Sequence, residues 1–85
     1  MGAADLGTPM WVVYECVGSG KEEISTYDKQ TLRVSLKKAI KKMGIPLSRI
    51  QEISYAYRAL SLNSTPLENN IPNGGVIAIK LKSPL

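Results

Sequence analysis

The amino-acid sequence predicts a small α+β domain in which a mixed four- to five-stranded sheet packs on one amphipathic helix. Three observations predict it: a β-branched and aromatic run at Trp11–Val17, a helical repeat of apolar residues at Leu32–Met43, and strict alternation at Val76–Lys82. The 85 residues, 44% of them hydrophobic, suffice for one domain. We assign residues 1–9 to a flexible leader, 10–82 to the domain and 83–85 to a short tail.

The N-terminal part of the domain has the pattern of a β-hairpin. Trp11–Val17 is the first predicted strand, and Gly18-Ser19-Gly20 allows the positive φ angles of a tight turn. Lys21–Tyr27 then returns as an antiparallel strand. Three apolar residues of the first strand share one of its faces: Trp11, Val13 and Val17. We place Trp11 in the core, and the two valines fit either the core or an exposed apolar strip.

One helix is predicted from Leu32 to Met43. Thr31 is preferred to Asp28 as its N-cap, because the side-chain oxygen can accept a hydrogen bond from the first turn. Gly44 can adopt the left-handed conformation that ends a helix, and Pro46 prevents any continuation.

The densest positive charge of the chain lies on this helix. At about 100° per residue, the face opposite the apolar stripe carries four lysines, Lys37, Lys38, Lys41 and Lys42. They contribute most of the net charge of +4. We interpret them as a solvated face, and the alternative is a binding surface for nucleic acid or for an acidic partner.

The C-terminal half predicts three further strands. Ile53 and Tyr55 point inward from a short third strand, and Leu60 and Leu62 mark a brief fourth. Residues 69–75 are rich in turn formers. In the closing strand, the inward residues are Ile77, Ile79 and Leu81, and the outward residues are Ala78, Lys80 and Lys82.

The residue inventory argues against several classes of function. With no His and a single Cys, the chain lacks the usual zinc-ligand sets, His-based catalytic triads and an internal disulfide. We expect Cys16 to be a packed thiol, and the protein to be no enzyme and to need no metal or cofactor. No apolar run approaches the ~20 residues of a membrane span, and no signal peptide is recognisable. A cytoplasmic or nuclear location is therefore expected.

The order strand, strand, helix, strand, short strand, strand resembles that of ubiquitin. The similarity covers about Met10 to Lys82 and rests on Thr31-Leu32, Gly44-Ile45-Pro46 and Asn70-Ile71 at corresponding places. Thr65-Pro66-Leu67 and the segment that follows are also similar to the ends of the molybdopterin and thiamine sulfur carriers. The resemblance implies a ubiquitin-like β-grasp roll, a fold that mostly binds other proteins.

The departures from ubiquitin bear on function. This chain ends in Lys82-Ser83-Pro84-Leu85 rather than in the Gly-Gly of modifiers and sulfur carriers, and removing everything after Gly74-Gly75 would delete the last strand. The resemblance places the positions of ubiquitin's apolar sheet patch on Ser54, Ala78 and Lys80, so the usual patch is lost.

Two functions are therefore expected, in order of preference. The first is a non-conjugated ubiquitin-like domain for protein–protein interaction, monomeric and away from membranes, that uses one face of its sheet or an exposed strand edge. The alternative is a basic, nucleic-acid-associated β-grasp module in which the helix lysines contact phosphates. A modifier or sulfur carrier with an altered tail is the third possibility.

Overall fold

The computed structural model describes residues 5–83, and it confirms the predicted order of elements. The strands are β1 (Pro9–Cys16), β2 (Gly20–Tyr27), β3 (Ile50–Tyr55), β4 (Arg58–Leu60) and β5 (Gly75–Leu81), and the helix is α1 (Leu32–Met43), followed by a short 3₁₀ turn (Leu47–Arg49). The strands form one five-stranded sheet in the order β2-β1-β5-β3-β4. β1 and β5 run parallel, and the other neighbours are antiparallel.

The ends of α1 lie where the sequence predicts them, but its start is satisfied differently. Thr31 occupies the N-cap position with extended backbone angles, yet its side chain makes no capping hydrogen bond. Instead, the N–H groups of Leu32 and Arg33 donate to the carbonyls of Ser64 and Leu62 at 2.9 and 3.0 Å. The segment after β4 therefore supplies acceptors for orphan donors of the first turn.

The C-terminus of α1 follows the prediction from its glycine. Gly44 has φ of 73°, in the left-handed region. This conformation allows the Ile45 N–H to reach the Ile40 carbonyl at 2.9 Å.

The core lies between α1 and one face of the sheet. Its largest fully buried side chains are Tyr14, Leu32, Leu36, Ile53 and Ile77. The Tyr14 hydroxyl lies 2.7 Å from the Ser35 Oγ, so the polar end of this ring is satisfied inside the core. Burial also raises the pKa of Tyr14 to about 12, against the opposing effect of the Ser35 hydrogen bond.

The placement of Trp11 in the core is wrong. The residues of β1 that face α1 are Val12, Tyr14 and Cys16, so the odd-numbered residues point away from the helix, and Trp11 is 42% exposed. β1 carries apolar residues on both of its faces, and alternation alone cannot tell which set meets the helix. Val13 is half-buried and Val17 is exposed beyond the end of β1. Cys16 is buried, as expected.

The first four residues of the predicted leader lie outside the described residues, and so does the predicted tail beyond Ser83. From Leu6 to Thr8 the chain runs beside the loop that follows β2. The N–H groups of Asp28 and Lys29 donate to the Thr8 and Leu6 carbonyls, each at 3.0 Å. This pairing lets β1 begin at Pro9, two residues before the predicted start.

Candidate protein-interaction surface

The face of the sheet that α1 leaves uncovered, here the outer face, carries a strip of apolar side chains. In the parallel pairing of β1 with β5, Val13 lies opposite Val76. Val76 is 46% exposed and Trp11 is 42% exposed. The outer strip is defined here as Trp11, Val13, Val76 and the turn residue Tyr57. It crosses the middle of the sheet, where an exposed apolar set is unusual for an isolated small domain.

Trp11 is held in place by the loop that precedes β5. Its N–H donates to the Asn73 Oδ1 at 3.0 Å, and its carbonyl accepts from the Gly74 N–H at 2.9 Å. The indole covers Gly74 so closely that a Cβ at that position would lie 2.9 Å from the Trp11 Cη2. Gly74 also has φ of 79°, which a side chain would disfavour. The ring is therefore presented in a fixed position although much of it is open to solvent.

Tyr57 lies in an unusual two-residue turn between β3 and β4. Tyr55 pairs with Arg58, so Ala56 and Tyr57 alone form the hairpin connection. Both have left-handed backbones, with φ of 51° and 66°. Hairpin turns of this type normally use Asn-Gly or Asp-Gly, because a side chain costs roughly 1–2 kcal/mol in this conformation. Tyr57 is fully exposed, so its ring makes no packing contribution to the domain that would offset this strain.

The pairing of β3 with β5 places this turn beside the rest of the strip. Ser54 pairs with Ala78 in antiparallel register, so the chain beyond Ser54 runs toward Val76. The Tyr55 ring approaches Gly75, where a Cβ would lie 3.3 Å from the Tyr55 Cε1. Trp11 and Tyr57 consequently flank Val13 and Val76 at the same end of β5.

The residues singled out from the sequence divide between two surfaces. Ser54, Ala78 and Lys80 share the outer face, where Ala78 and Lys80 are exposed and Ser54 is half-buried. The four lysines of α1 are exposed on the helix, on the opposite side of the sheet. The two groups cannot contribute to one contact. The apolar patch expected to be lost from Ser54 and Ala78 has its counterpart in the outer strip, displaced toward the start of β5.

Sequence reasoning missed Val76 and Tyr57 as surface candidates. The outward position of Val76 follows from the same alternation that places Ile77 inward, so the signal was present. The turn at Ala56-Tyr57 gave no signal, because it contains no Gly, Asn, Asp or Pro.

The charges around the outer strip balance one another. Lys21 lies 4.0 Å from Glu15, its register partner on β1, and Lys80 lies opposite Glu52 in the β3–β5 pairing. Both pairs are on the outer face, one toward each side of the strip. The strip between them is uncharged, which suits an apolar contact better than an ionic one.

The described residues offer little for metal or membrane chemistry. Residues 5–83 hold no group of three or more His, Cys, Asp or Glu side chains placed to bind a metal ion. Within the same residues, no helix is both long and apolar enough to cross a membrane. The pKa of Asp5 is lowered by a hydrogen bond from the Gly7 backbone and then by the charge of Lys29, an exposed arrangement far from the outer strip.

Comparison with known proteins identifies the fold. No protein-family model matches the chain, and no curated protein matches it. Among solved structures, a protein designed de novo on the basis of ubiquitin aligns with a TM-score of 0.77 and 18% sequence identity, covering 91% of this chain and 93% of the designed protein. The chain therefore has the ubiquitin-like β-grasp fold, as the resemblance implied. At this identity the likeness concerns the fold alone.

Proposed function

We propose that this chain is a non-conjugated ubiquitin-like domain that binds a partner protein through the outer strip. The observation that carries the proposal is Tyr57, a fully exposed aromatic residue on a left-handed backbone. Backbone strain of this kind is typical of functional positions, where the side chain is needed more than the stability it costs. Within the domain, glycine would serve the turn better.

The partner that fits the outer strip is an amphipathic helix with an apolar face. Neighbouring strands lie about 4.8 Å apart, so the strip from β1 across β5 to the β3–β4 turn is roughly 10 Å wide. One helix with its side chains has a diameter of about 10–12 Å. Trp and Tyr are also the residue types that most often dominate binding energy at protein interfaces. We propose that Trp11 and Tyr57 flank such a helix and that Val13 and Val76 lie beneath it.

The internal glycine pair supports a non-conjugated role. Gly75 is buried at the first position of β5, and a Cβ there would lie 2.7 Å from the Ile71 Cγ2. Close packing therefore explains Gly75, and the contact with Trp11 explains Gly74. Cleavage after them would remove β5, including the buried Ile77 and Ile79. We propose no catalytic role, and the cytoplasmic or nuclear location stays a prediction.

A nucleic-acid function is the weaker alternative. Its phosphate contacts would come from the α1 lysines and its base stacking from exposed aromatic residues such as Trp11. These groups lie on opposite sides of the sheet, and one strand cannot engage both at once.

The test is photo-crosslinking from a defined position. A photoreactive phenylalanine replaces Val76 in the outer strip or, as a control, the exposed Ser48 on the 3₁₀ turn. Lysate from cells that express the protein is irradiated with and without nuclease, and crosslinked peptides are identified by mass spectrometry. We expect a nuclease-resistant protein adduct from position 76 at an amphipathic helical segment, lost when Tyr57→Ser is added. Equal adducts from both positions, or adducts that disappear with nuclease, would contradict the proposal.

A further inference from the structure

A second surface, independent of the outer strip, lies along the opposite margin of the sheet. β2 is an edge strand whose only neighbour is β1. In such a strand, every second residue directs its N–H and C=O away from the sheet, where they can pair with another extended chain. At eight residues, β2 is long for an uncovered edge.

A groove runs between this edge and α1. It has a volume of about 570 Å³ and is lined by Glu23, Ile24 and Ser25 of β2 and by Lys38, Lys41 and Lys42 of α1. The Ile24 side chain is buried beneath it, and by strand alternation the side chains of Glu23 and Ser25 turn to the outer face. The groove therefore has backbone on one wall and lysine side chains on the other, whose methylene stems are apolar and whose ammonium groups reach solvent.

The charges of the groove are one-sided on the helix wall. Among residues 5–83, the ion pairs are Lys21 with Glu15 and Lys29 with Asp5, and none involves a lysine of α1. Glu23 is the single acidic residue of the lining, and its side chain is directed to the other face of the sheet. Three unneutralised ammonium groups thus stand beside an open strand edge.

We propose that the groove between β2 and α1 binds an extended, acidic segment of a partner protein. The segment adds to β2 as a further strand through backbone hydrogen bonds, which is a common mode of peptide recognition. Apolar side chains at its centre pack on the lysine stems, and carboxylates at its ends meet Lys38, Lys41 and Lys42. Charge complementarity selects the acidic sequence, and the strand edge selects the extended form.

A second copy of this chain fits the groove less well. Antiparallel pairing of two β2 edges keeps both helices on the same side of the joined sheet. The lysines of the two copies would then approach one another across the contact, and like charges at close range are unfavourable.

The experiment uses defined peptides and measures binding by fluorescence anisotropy. The probe is a fluorescein-labelled peptide of roughly ten residues, with valine at its centre and glutamate at both ends. One control peptide carries glutamine in place of glutamate, and a second keeps the glutamates but has alternate backbone nitrogens methylated. Methylation removes the donors that strand addition needs without changing charge. A labelled oligothymidylate of similar length tests for nucleic acid.

The matched protein variants differ in where three charges are removed. The first combines Lys38→Gln, Lys41→Gln and Lys42→Gln in the groove, and the control combines Lys37→Gln, Lys80→Gln and Lys82→Gln elsewhere. We expect the groove variant to bind the acidic peptide about tenfold more weakly, as for three partly exposed ion pairs, and the control to change the affinity less than about threefold. The methylated peptide should not bind, and amide resonances of residues 23–25 should shift on binding.

Several outcomes would overturn this proposal. Equal binding of the methylated peptide, or tighter binding of the oligonucleotide, would mean that the lysines act as a simple positive surface. A dimer in sedimentation that is lost with the groove variant would assign β2 to self-association. Because Tyr57→Ser removes only the outer strip, unchanged peptide binding by that variant separates the two surfaces, and either can fail alone.

Discussion

The two faces of the sheet use similar residue types for different purposes. Toward α1, Val12, Tyr14 and Ile77 are fully buried, and the one polar group among them, the Tyr14 hydroxyl, has a partner in Ser35. Toward solvent, Trp11 and Val76 lie on the same two strands, β1 and β5, about half exposed. The comparison teaches that apolar character alone does not mark the core. What distinguishes the faces is whether a second layer covers them.

The largest expected effect comes from the covered face. Leu36 is fully buried on α1, so Leu36→Ala should lower the free energy of unfolding by about 2–4 kcal/mol through lost burial and a residual cavity. Val76→Ala on the outer face should cost less than about 1 kcal/mol. Urea unfolding of both variants measures the difference. Equal losses would mean that the two faces are not distinct in energy.

A pH titration sharpens the same contrast at Tyr14. Its pKa is raised to about 12 in the folded state, so the unfolded chain loses this proton first as the pH rises above its ordinary value of 10.0. The contribution of Tyr14 to stability is present below pH 10 and declines toward pH 12, by about 1.4 kcal/mol per pH unit at most. We expect Tyr14→Phe to be less stable than wild type at neutral pH by about 1 kcal/mol and to show a shallower decline above pH 10. Parallel slopes for the two proteins in alkaline urea titrations would contradict a buried, protonated Tyr14.

The support beneath Trp11 gives a smaller effect. Gly74→Ala introduces a Cβ that meets the indole on a left-handed backbone, so the free energy of unfolding should fall by about 1–2 kcal/mol. Trp11 is the single tryptophan of the chain, so its fluorescence reports the displacement directly. We expect stronger quenching by acrylamide in the variant. Gly18→Ala is a useful control, because its φ is also positive but a Cβ there meets no atom within 4 Å.

The smallest expected effect has the opposite sign. Tyr57→Gly relieves a left-handed tyrosine in a turn suited to glycine, and should raise the free energy of unfolding by up to about 1 kcal/mol. The same change should abolish the crosslink from position 76. Tyr57→Ser keeps the strained backbone and removes the ring, so it should lose the crosslink without gaining stability. A Tyr57→Gly variant that is less stable than wild type would show that the ring supports the domain itself.

Most of the fold could be predicted from the sequence because its signals are local. The 3.6-residue repeat and the pair Gly44 and Pro46 fix the extent of α1, which agrees with the prediction at both ends. Alternation likewise places Ile77 and Ile79 inward on β5. The strand-strand-helix-strand order leaves few ways to cover one amphipathic helix with one sheet, so the fold class followed.

The candidate surfaces depended on tertiary structure for a physical reason. β1 is apolar on both faces, and only the packing of Tyr14 against Ser35 decides that Trp11 points to solvent. The left-handed turn at Ala56-Tyr57 is imposed by the pairing of β3 with β4 against the preferences of its own residues. The sequence thus determined the elements, through interactions within a few residues. Which apolar residues stayed exposed, and which charges met a strand edge, was decided by contacts between residues far apart in the chain.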